Sequence, residues 1–95
     1  RFDIPWGTDE SLLAAFALGA KGAVGSTYNF AAPIYHRVLE AAARGDFASA
    51  REHQFRSVRL VQTLVGYGFM PAAKAVMAML GVPVGPTRLP LSPLT

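Results

Sequence analysis

The chain opens with alternating apolar residues and continues with an apolar run at helical spacing. Residues 2–6 alternate and end at a glycine, which is typical of a strand. Thr8 and the two acids after it resemble a helix start, and residues 11–18 form an apolar run that stops at Gly19. That run is apolar on every side, which predicts a buried helix. Residues 23–26 predict a second strand, and the order strand, helix, strand with short loops predicts a parallel βαβ unit.

The middle of the chain is patterned for two helices. Pro33 stands where a helix can begin, and apolar residues recur at helical spacing from there to Gly45. Asp46 can cap a longer helix that ends near Gly66 and Gly68. One face of this longer helix is predicted to carry Phe47, Ala50, Gln54, Val58, Val61 and Val65.

The last part of the chain contains one more helix and a proline-rich tail. Pro71 is predicted to open a helix over about residues 72–80, with Gly81 as its stop. Residues 82–95 contain repeated prolines, so they are predicted to run extended over a surface.

Two parallel strands alone have no independent stability, because a parallel sheet normally has several strands and is covered on both faces. The fold class is therefore α/β, with further strands expected outside these residues. A (β/α)₈ TIM barrel fits the short strands and the length of each unit best. A doubly wound open sheet is the second architecture that fits.

Composition supports a chain that belongs to something larger. Hydrophobic residues make up 52% of the 95 residues and charged residues only 16%, compared with about 25% in ordinary domains. Between residues 11 and 36, Lys21 is the only residue with a formal charge, so this stretch needs more cover than a short chain provides. The absence of cysteine excludes a disulfide framework and favours the cytoplasm.

Charge and hydropathy exclude two classes of partner. The net charge of +3 comes largely from arginines, but acidic residues are interleaved with them, which is typical of a solvated helix face and not of a nucleic-acid site. Lys74 and several prolines and glycines interrupt the longest apolar stretch, so we expect no membrane span. His36 and His53 have no ligand spacing, so we expect no metal site.

Two polar segments are the candidate site. In a parallel barrel the active site lies at the carboxyl ends of the strands, which selects residues 7–10 and 25–29. Their carboxylates, hydroxyls and small glycines suit a polyhydroxylated ligand. These side chains are equally suited to capping the helices that follow. Lys21 and Lys74 are not placed to form a Schiff base, so we predict no catalytic residue within this chain.

At these same residues the sequence resembles a family of class I aldolases, that of N-acetylneuraminate lyase and dihydrodipicolinate synthase. The resemblance covers essentially the whole chain and rests on four motifs in order. These are Gly7-x-Asp9-Glu10, then Gly19-Ala-x-Gly22-Ala-Val-Gly25-Ser26-Thr27-Tyr28-Asn29, then Tyr67-Gly68 with Lys74-Ala75, and the tail Gly85-Pro-x-Arg88-x-Pro90-Leu91-x-Pro93-Leu94. The first two are similar to the sialic acid lyase branch.

The resemblance implies an architecture and a set of site residues. Residues 1–44 would be the last two β/α units of a TIM barrel, and residues 45–95 a C-terminal helical extension with a proline-rich tail. The catalytic lysine and tyrosine would lie on strands before Arg1. The substrate-binding residues would be Gly7, Asp9, Glu10, Gly25 and Ser26, with the carboxylates and hydroxyl binding sugar hydroxyls and the glycines lining the pocket.

The resemblance also implies an activity: cleavage of N-acetylneuraminate to pyruvate and N-acetylmannosamine by a homotetramer that needs no cofactor. Its partner would be a small-molecule substrate. Two alternatives remain open at this point. One is another aldolase of the family, which acts on a different 2-keto-3-deoxy sugar acid or makes dihydrodipicolinate. The other is a barrel module without catalytic activity.

Overall fold

The computed structural model describes residues 2–94, which are mainly helical. A 3-10 turn at Asp9–Ser11 precedes the helices, which are α1 (Leu12–Ala17), α2 (Tyr28–Ala43), α3 (Phe47–Tyr67) and α4 (Phe69–Met79). The chain divides into two compact units, Arg1–Arg59 and Leu60–Thr95. Within residues 2–94, none of the helices combines the length and apolar character that a membrane crossing requires.

The two predicted strands are not formed as strands within residues 2–94. A single parallel bridge joins Trp6 and Ala23 in their place. The Trp6 N–H donates to the Gly22 carbonyl (2.9 Å), and the Val24 N–H donates to the Trp6 carbonyl (2.8 Å). The parallel sense of the pairing is as predicted, but a pair without neighbouring strands has little to extend it. Phe2 is accordingly 88% exposed.

Helix α1 follows the predicted run in shortened form. It ends in a Schellman motif, where Gly19 takes a φ of 100° and the Ala20 N–H donates to the Ala15 carbonyl (3.0 Å). Thr8 is the N-cap residue of the 3-10 turn, as predicted, but its side chain makes no capping hydrogen bond. Leu18 is 86% exposed, so the described residues do not bury this apolar run on every side.

Helix α2 begins five residues earlier than Pro33, the predicted start. Its first turn is closed by hydrogen bonds to the Ser26 and Thr27 carbonyls, so the helix does not need the proline to begin. The helix is kinked at Ala31, whose backbone is not helical (φ −124°), and Pro33 follows two residues later. Pro33 therefore lies in the first turn of the segment after the kink, where a missing N–H is tolerated, as the sequence predicted. The predicted end is confirmed, with Gly45 at a φ of 78°.

Helix α3 begins as predicted, because Asp46 Oδ1 accepts the Ser49 N–H (3.1 Å). Hydrogen bonds from Ser49 lower the pKa of Asp46, with a smaller contribution from Arg44. The predicted apolar face is partly wrong. Ala50, Gln54 and Val61 are buried, whereas Phe47 and Val65 are exposed and Val58 is half-buried. Ser57 and Leu64 are buried as well, because the buried face is turned slightly from the one that the apolar pattern suggested.

In the second unit, α4 starts at Phe69 and not after Pro71, which occupies the first turn, where a missing N–H is tolerated. Its predicted end is confirmed: Gly81 has a φ of 91° and the Val82 N–H donates to the Met77 carbonyl (2.9 Å). Residues 82–94 contain no helix or strand, as predicted. Lys74 Nζ donates to the Pro86 carbonyl (3.2 Å) and ties this tail to α4.

Candidate functional site

Asp9 is the only buried acidic side chain among the described residues, at 8% exposure. It lies in the 3-10 turn, and its Oδ2 accepts two hydrogen bonds from Thr27, the residue that precedes α2. The Thr27 N–H donates over 2.9 Å, and the Thr27 hydroxyl donates to the same oxygen. The two segments that the sequence selected, residues 7–10 and 25–29, therefore meet at this carboxylate.

Gly25 packs directly against the Asp9 carboxylate. A Cβ atom at this position would overlap the Asp9 side chain, so a glycine is required for the carboxylate to stay where it is. Gly7 differs, because a Cβ there would meet no atom of the described residues within 4 Å. The structure therefore shows a steric requirement for glycine at position 25 and none at position 7 among the described residues.

Glu10 follows Asp9 along the chain and Ser26 precedes Thr27, and both are more accessible than Asp9. Glu10 is half-buried and Ser26 is exposed. The Ser26 carbonyl accepts the Asn29 Nδ2–H (3.0 Å), so Asn29 closes the turn and Ser26 keeps its hydroxyl at the surface. No side-chain cap is made at Thr27, because its hydroxyl is committed to Asp9. The predicted capping alternative is therefore wrong for Thr27.

A line of buried hydroxyls continues from Thr27 into the helices. Thr27 Oγ1 lies 2.6 Å from the Tyr35 hydroxyl, and Ser57 Oγ donates to that hydroxyl over 2.8 Å. Thr27, Tyr35 and Ser57 are all at most 3% exposed. Burial raises the pKa of Tyr35, and the hydrogen bonds to Ser57 and Thr27 lower it by less. The pKa therefore lies above its usual value, and the phenol stays protonated at neutral pH. The sequence analysis missed Tyr35 and Ser57.

Gln54 fastens the backbone of the Asp9 turn to α3. Its Oε1 accepts the Leu13 N–H (2.7 Å), and its Nε2 donates to the Asp9 carbonyl (3.4 Å). Both groups of this side chain are thereby satisfied at a buried position. The apolar pattern placed Gln54 on the buried face of α3, and its amide is the polar group that joins the site to that helix.

Tyr28 stacks edge-on against Tyr35, with ring centroids 4.7 Å apart. Its hydroxyl is buried and has no hydrogen-bond partner among the described residues. Burial, followed by the charge of Asp9, raises the pKa of Tyr28 to about 12. The ring lines a largely apolar cavity of about 270 Å³ between α1 and α2, which Lys21 and His36 also line.

Solved structures similar to this chain are TIM-barrel aldolases. N-acetylneuraminate lyase from Proteus mirabilis superposes with a TM-score of 0.94 at 42% identity, over 100% of this chain and 32% of that one. The sialic acid aldolase from Aliivibrio salmonicida gives the same TM-score, identity and coverage. The helices and the Asp9 turn therefore have counterparts in barrel enzymes.

The chain belongs to the dihydrodipicolinate synthetase family, whose sequence profile matches residues 1–95. N-acetylneuraminate lyase from Rattus norvegicus is 44% identical over 100% of this chain and 30% of its own length. The lyase from Sus scrofa is 46% identical over 96% of this chain and 29% of its own length. The chain thus spans about 30% of these relatives, and the family resemblance read from the four motifs is confirmed.

Proposed function

We propose that this chain is the C-terminal part of a class I aldolase that cleaves N-acetylneuraminate to pyruvate and N-acetylmannosamine. The observation that carries the proposal is the Asp9 carboxylate. It is buried and held on one oxygen by Thr27, and this contact joins the two segments selected from the sequence, which also carry Glu10 and Ser26. The relatives named N-acetylneuraminate lyase favour this substrate over the other substrates of the family.

Residues 1–44 would supply the last two β/α units of the barrel, and residues 45–95 the helical extension and proline-rich tail. The parallel bridge between Trp6 and Ala23 supports this assignment. Because the two segments run in the same direction, residues 7–10 and 25–29 follow them on the same side. That side would be the rim where barrel enzymes place their active sites.

In the complete enzyme, the catalytic residues and the sugar-binding residues would lie on different parts of the chain. A lysine that forms a Schiff base with the substrate ketone, and a tyrosine that takes the proton as the carbon–carbon bond breaks, would come from the preceding strands. This chain would bind the sugar. Hydroxyls of the substrate would donate to Asp9 Oδ1 and to Glu10, while the Ser26 hydroxyl can donate or accept. Gly7 and Gly25 would line the pocket, and the missing side chain of Gly25 leaves room for the Asp9 carboxylate.

Asp9 can accept a further hydrogen bond because only one of its oxygens is occupied. The two hydrogen bonds from Thr27 both end on Oδ2. Among the described residues no hydrogen bond ends on Oδ1, which lies against Gly25, and a carboxylate oxygen has lone pairs for a donating hydroxyl.

We further propose that the complete enzyme is a cytoplasmic homotetramer that uses neither a metal nor an organic cofactor.

The activity of the full-length protein tests this proposal. We expect borohydride to inactivate it irreversibly in the presence of pyruvate, because reduction traps the lysine–pyruvate Schiff base. We also expect release of pyruvate from N-acetylneuraminate with a higher kcat/KM than from a 2-keto-3-deoxy sugar acid without the N-acetyl group.

The outcomes separate the alternatives. Trapping without cleavage of N-acetylneuraminate would assign the protein to another aldolase of the family. If condensation of pyruvate with aspartate semialdehyde is the faster reaction, dihydrodipicolinate synthesis is the function. Neither trapping nor cleavage would leave a barrel without catalytic activity. Borohydride without pyruvate is the control for non-specific damage.

A further inference from the structure

The hydroxyls of Thr27, Tyr35 and Ser57 are buried where apolar side chains of the same shape would fit. Valine, phenylalanine and alanine match these three residues in volume and carry no polar atom. A buried hydroxyl costs free energy unless it is hydrogen-bonded, so three in succession have to be satisfied by one another. Here they form an unbroken line that ends on Asp9 Oδ2.

The chemistry of the carboxylate fixes the direction of every hydrogen bond in this line. As a carboxylate, Asp9 accepts and has no proton to donate, so the single hydroxyl proton of Thr27 points at Asp9. Thr27 can then only accept from Tyr35, whose proton points at Thr27. Tyr35 in turn accepts from Ser57, as the geometry of that hydrogen bond also shows. All three protons therefore point towards Asp9.

We infer that Tyr35 and Ser57 are positioning residues for sugar binding, because this one-directional hydroxyl line fixes Asp9 with Oδ2 held by Thr27 and Oδ1 turned to the substrate. The inference rests on the proposed function and adds to it two residues that touch no substrate. Hydrogen bonds in such a line polarise one another, so the Tyr35 hydroxyl strengthens the hold of Thr27 on Asp9.

The elements that carry the line explain why its position is defined. Asp9 lies in the 3-10 turn, Tyr35 on α2 and Ser57 on α3. Gln54 hydrogen-bonds the backbone of the same turn to α3. Both the side chain and the main chain of Asp9 are therefore linked to α3, the side chain through the hydroxyl line and the main chain through Gln54. A carboxylate held in this way keeps one orientation, which is what discrimination between sugar hydroxyls requires.

The test uses Tyr35→Phe in the full-length protein, with Tyr67→Phe as the control. Both changes remove a tyrosine hydroxyl and keep the ring, but only the Tyr35 hydroxyl belongs to the line, whereas Tyr67 is the exposed last residue of α3. We expect Tyr35→Phe to raise KM for N-acetylneuraminate about three- to tenfold with little change in kcat. Borohydride trapping with pyruvate should be unchanged, because pyruvate has no sugar tail, and Tyr67→Phe should leave both readouts unchanged.

Further variants at Thr27 and Ser57, and one double variant, test the order of the groups along the line. Thr27→Ser keeps the hydroxyl and should behave as wild type, whereas Thr27→Val should raise KM more than Tyr35→Phe, because it removes the direct donor to Asp9. Ser57→Ala lies furthest from the carboxylate and should have the smallest effect. In an Asp9→Asn background, Tyr35→Phe should add nothing, since the group on which it acts is gone.

An unchanged KM in Tyr35→Phe, with Asp9→Asn still impaired, would overturn the inference and leave the proposed function standing. Equal losses in N-acetylneuraminate cleavage and pyruvate trapping, with a lowered melting temperature, would show that Tyr35 only stabilises the fold and would also overturn it. If the wild-type protein neither traps pyruvate nor cleaves N-acetylneuraminate, the proposed function is wrong, and this inference is wrong with it.

Discussion

Asp9→Asn in the full-length protein is expected to lower kcat/KM for N-acetylneuraminate by about ten- to a hundredfold, the range for losing hydrogen bonds to a charged acceptor. The reason is the orientation that the asparagine side-chain amide must adopt. Thr27 presents two donors to Oδ2, so the amide oxygen has to take that place and the NH₂ group has to replace Oδ1. The NH₂ group is a donor, so a substrate hydroxyl that donates to Oδ1 in the wild type loses its acceptor in the variant.

The same geometry predicts that the fold tolerates this change, because both Thr27 donors keep an acceptor. Steady-state kinetics and melting temperature should be measured on the same variant, together with borohydride trapping by pyruvate. Ser26→Ala is the companion variant and should cost several-fold, since it removes a neutral partner. If Asp9 only stabilises the helix start, the melting temperature should fall by a few degrees and both substrates should be affected alike. That outcome would remove Asp9 from the binding site.

Gly25→Ala is expected to have the second large effect. The new methyl group would overlap the Asp9 carboxylate, so Asp9 must leave Thr27 or the chain around residue 25 must shift. Overpacking of this kind costs about 1–3 kcal/mol of stability. Because it displaces the binding group, we also expect kcat/KM for N-acetylneuraminate to fall about tenfold or more.

Gly22→Ala is the matched control for this variant. Neither glycine has a positive φ, and a Cβ at residue 22 would meet nothing within 4 Å among the described residues. The two alanines therefore differ in the contact with Asp9 and not in backbone strain. Kinetics and thermal unfolding of both variants check the prediction. If Gly25→Ala matches Gly22→Ala in both, Asp9 does not need the space beside Gly25.

Helix ends could be predicted from sequence because they depend on local backbone geometry, but of the capping side chains only Asp46 acts as predicted, since Thr8 and Thr27 make no capping hydrogen bond. Gly19, Gly45 and Gly81 all end helices with a positive φ, as expected, and Asp46 caps α3. The predicted strands did not form, because strand pairing depends on neighbours that the described residues do not include. The start of α2 was misplaced because a further helical turn begins at Tyr28 and joins the segment of Pro33 across the kink at Ala31.

The two segments that meet at Asp9 could be selected from sequence, but the hydrogen bonds that link them to α2 and α3 could not. Glycines and polar residues after two predicted strands indicated where Asp9 and Thr27 would lie, and the structure brings them together. Tyr35 and Ser57 lie in predicted helices, where one tyrosine and one serine give no sequence signal. Their role depends on two helices that place the hydroxyls 2.8 Å apart, which spacing along the chain does not reveal.

The most direct measurement is an experimental structure of the full-length protein with N-acetylneuraminate trapped in the site. We predict a hydroxyl of the sugar within about 2.5–3.0 Å of Asp9 Oδ1, with Thr27 still bound to Oδ2 and the line through Tyr35 and Ser57 intact. Glu10 and Ser26 should contact the same sugar. A sugar bound away from residues 7–10 and 25–26, with Asp9 contacting Thr27 alone, would contradict the central claim that this carboxylate recognises the substrate.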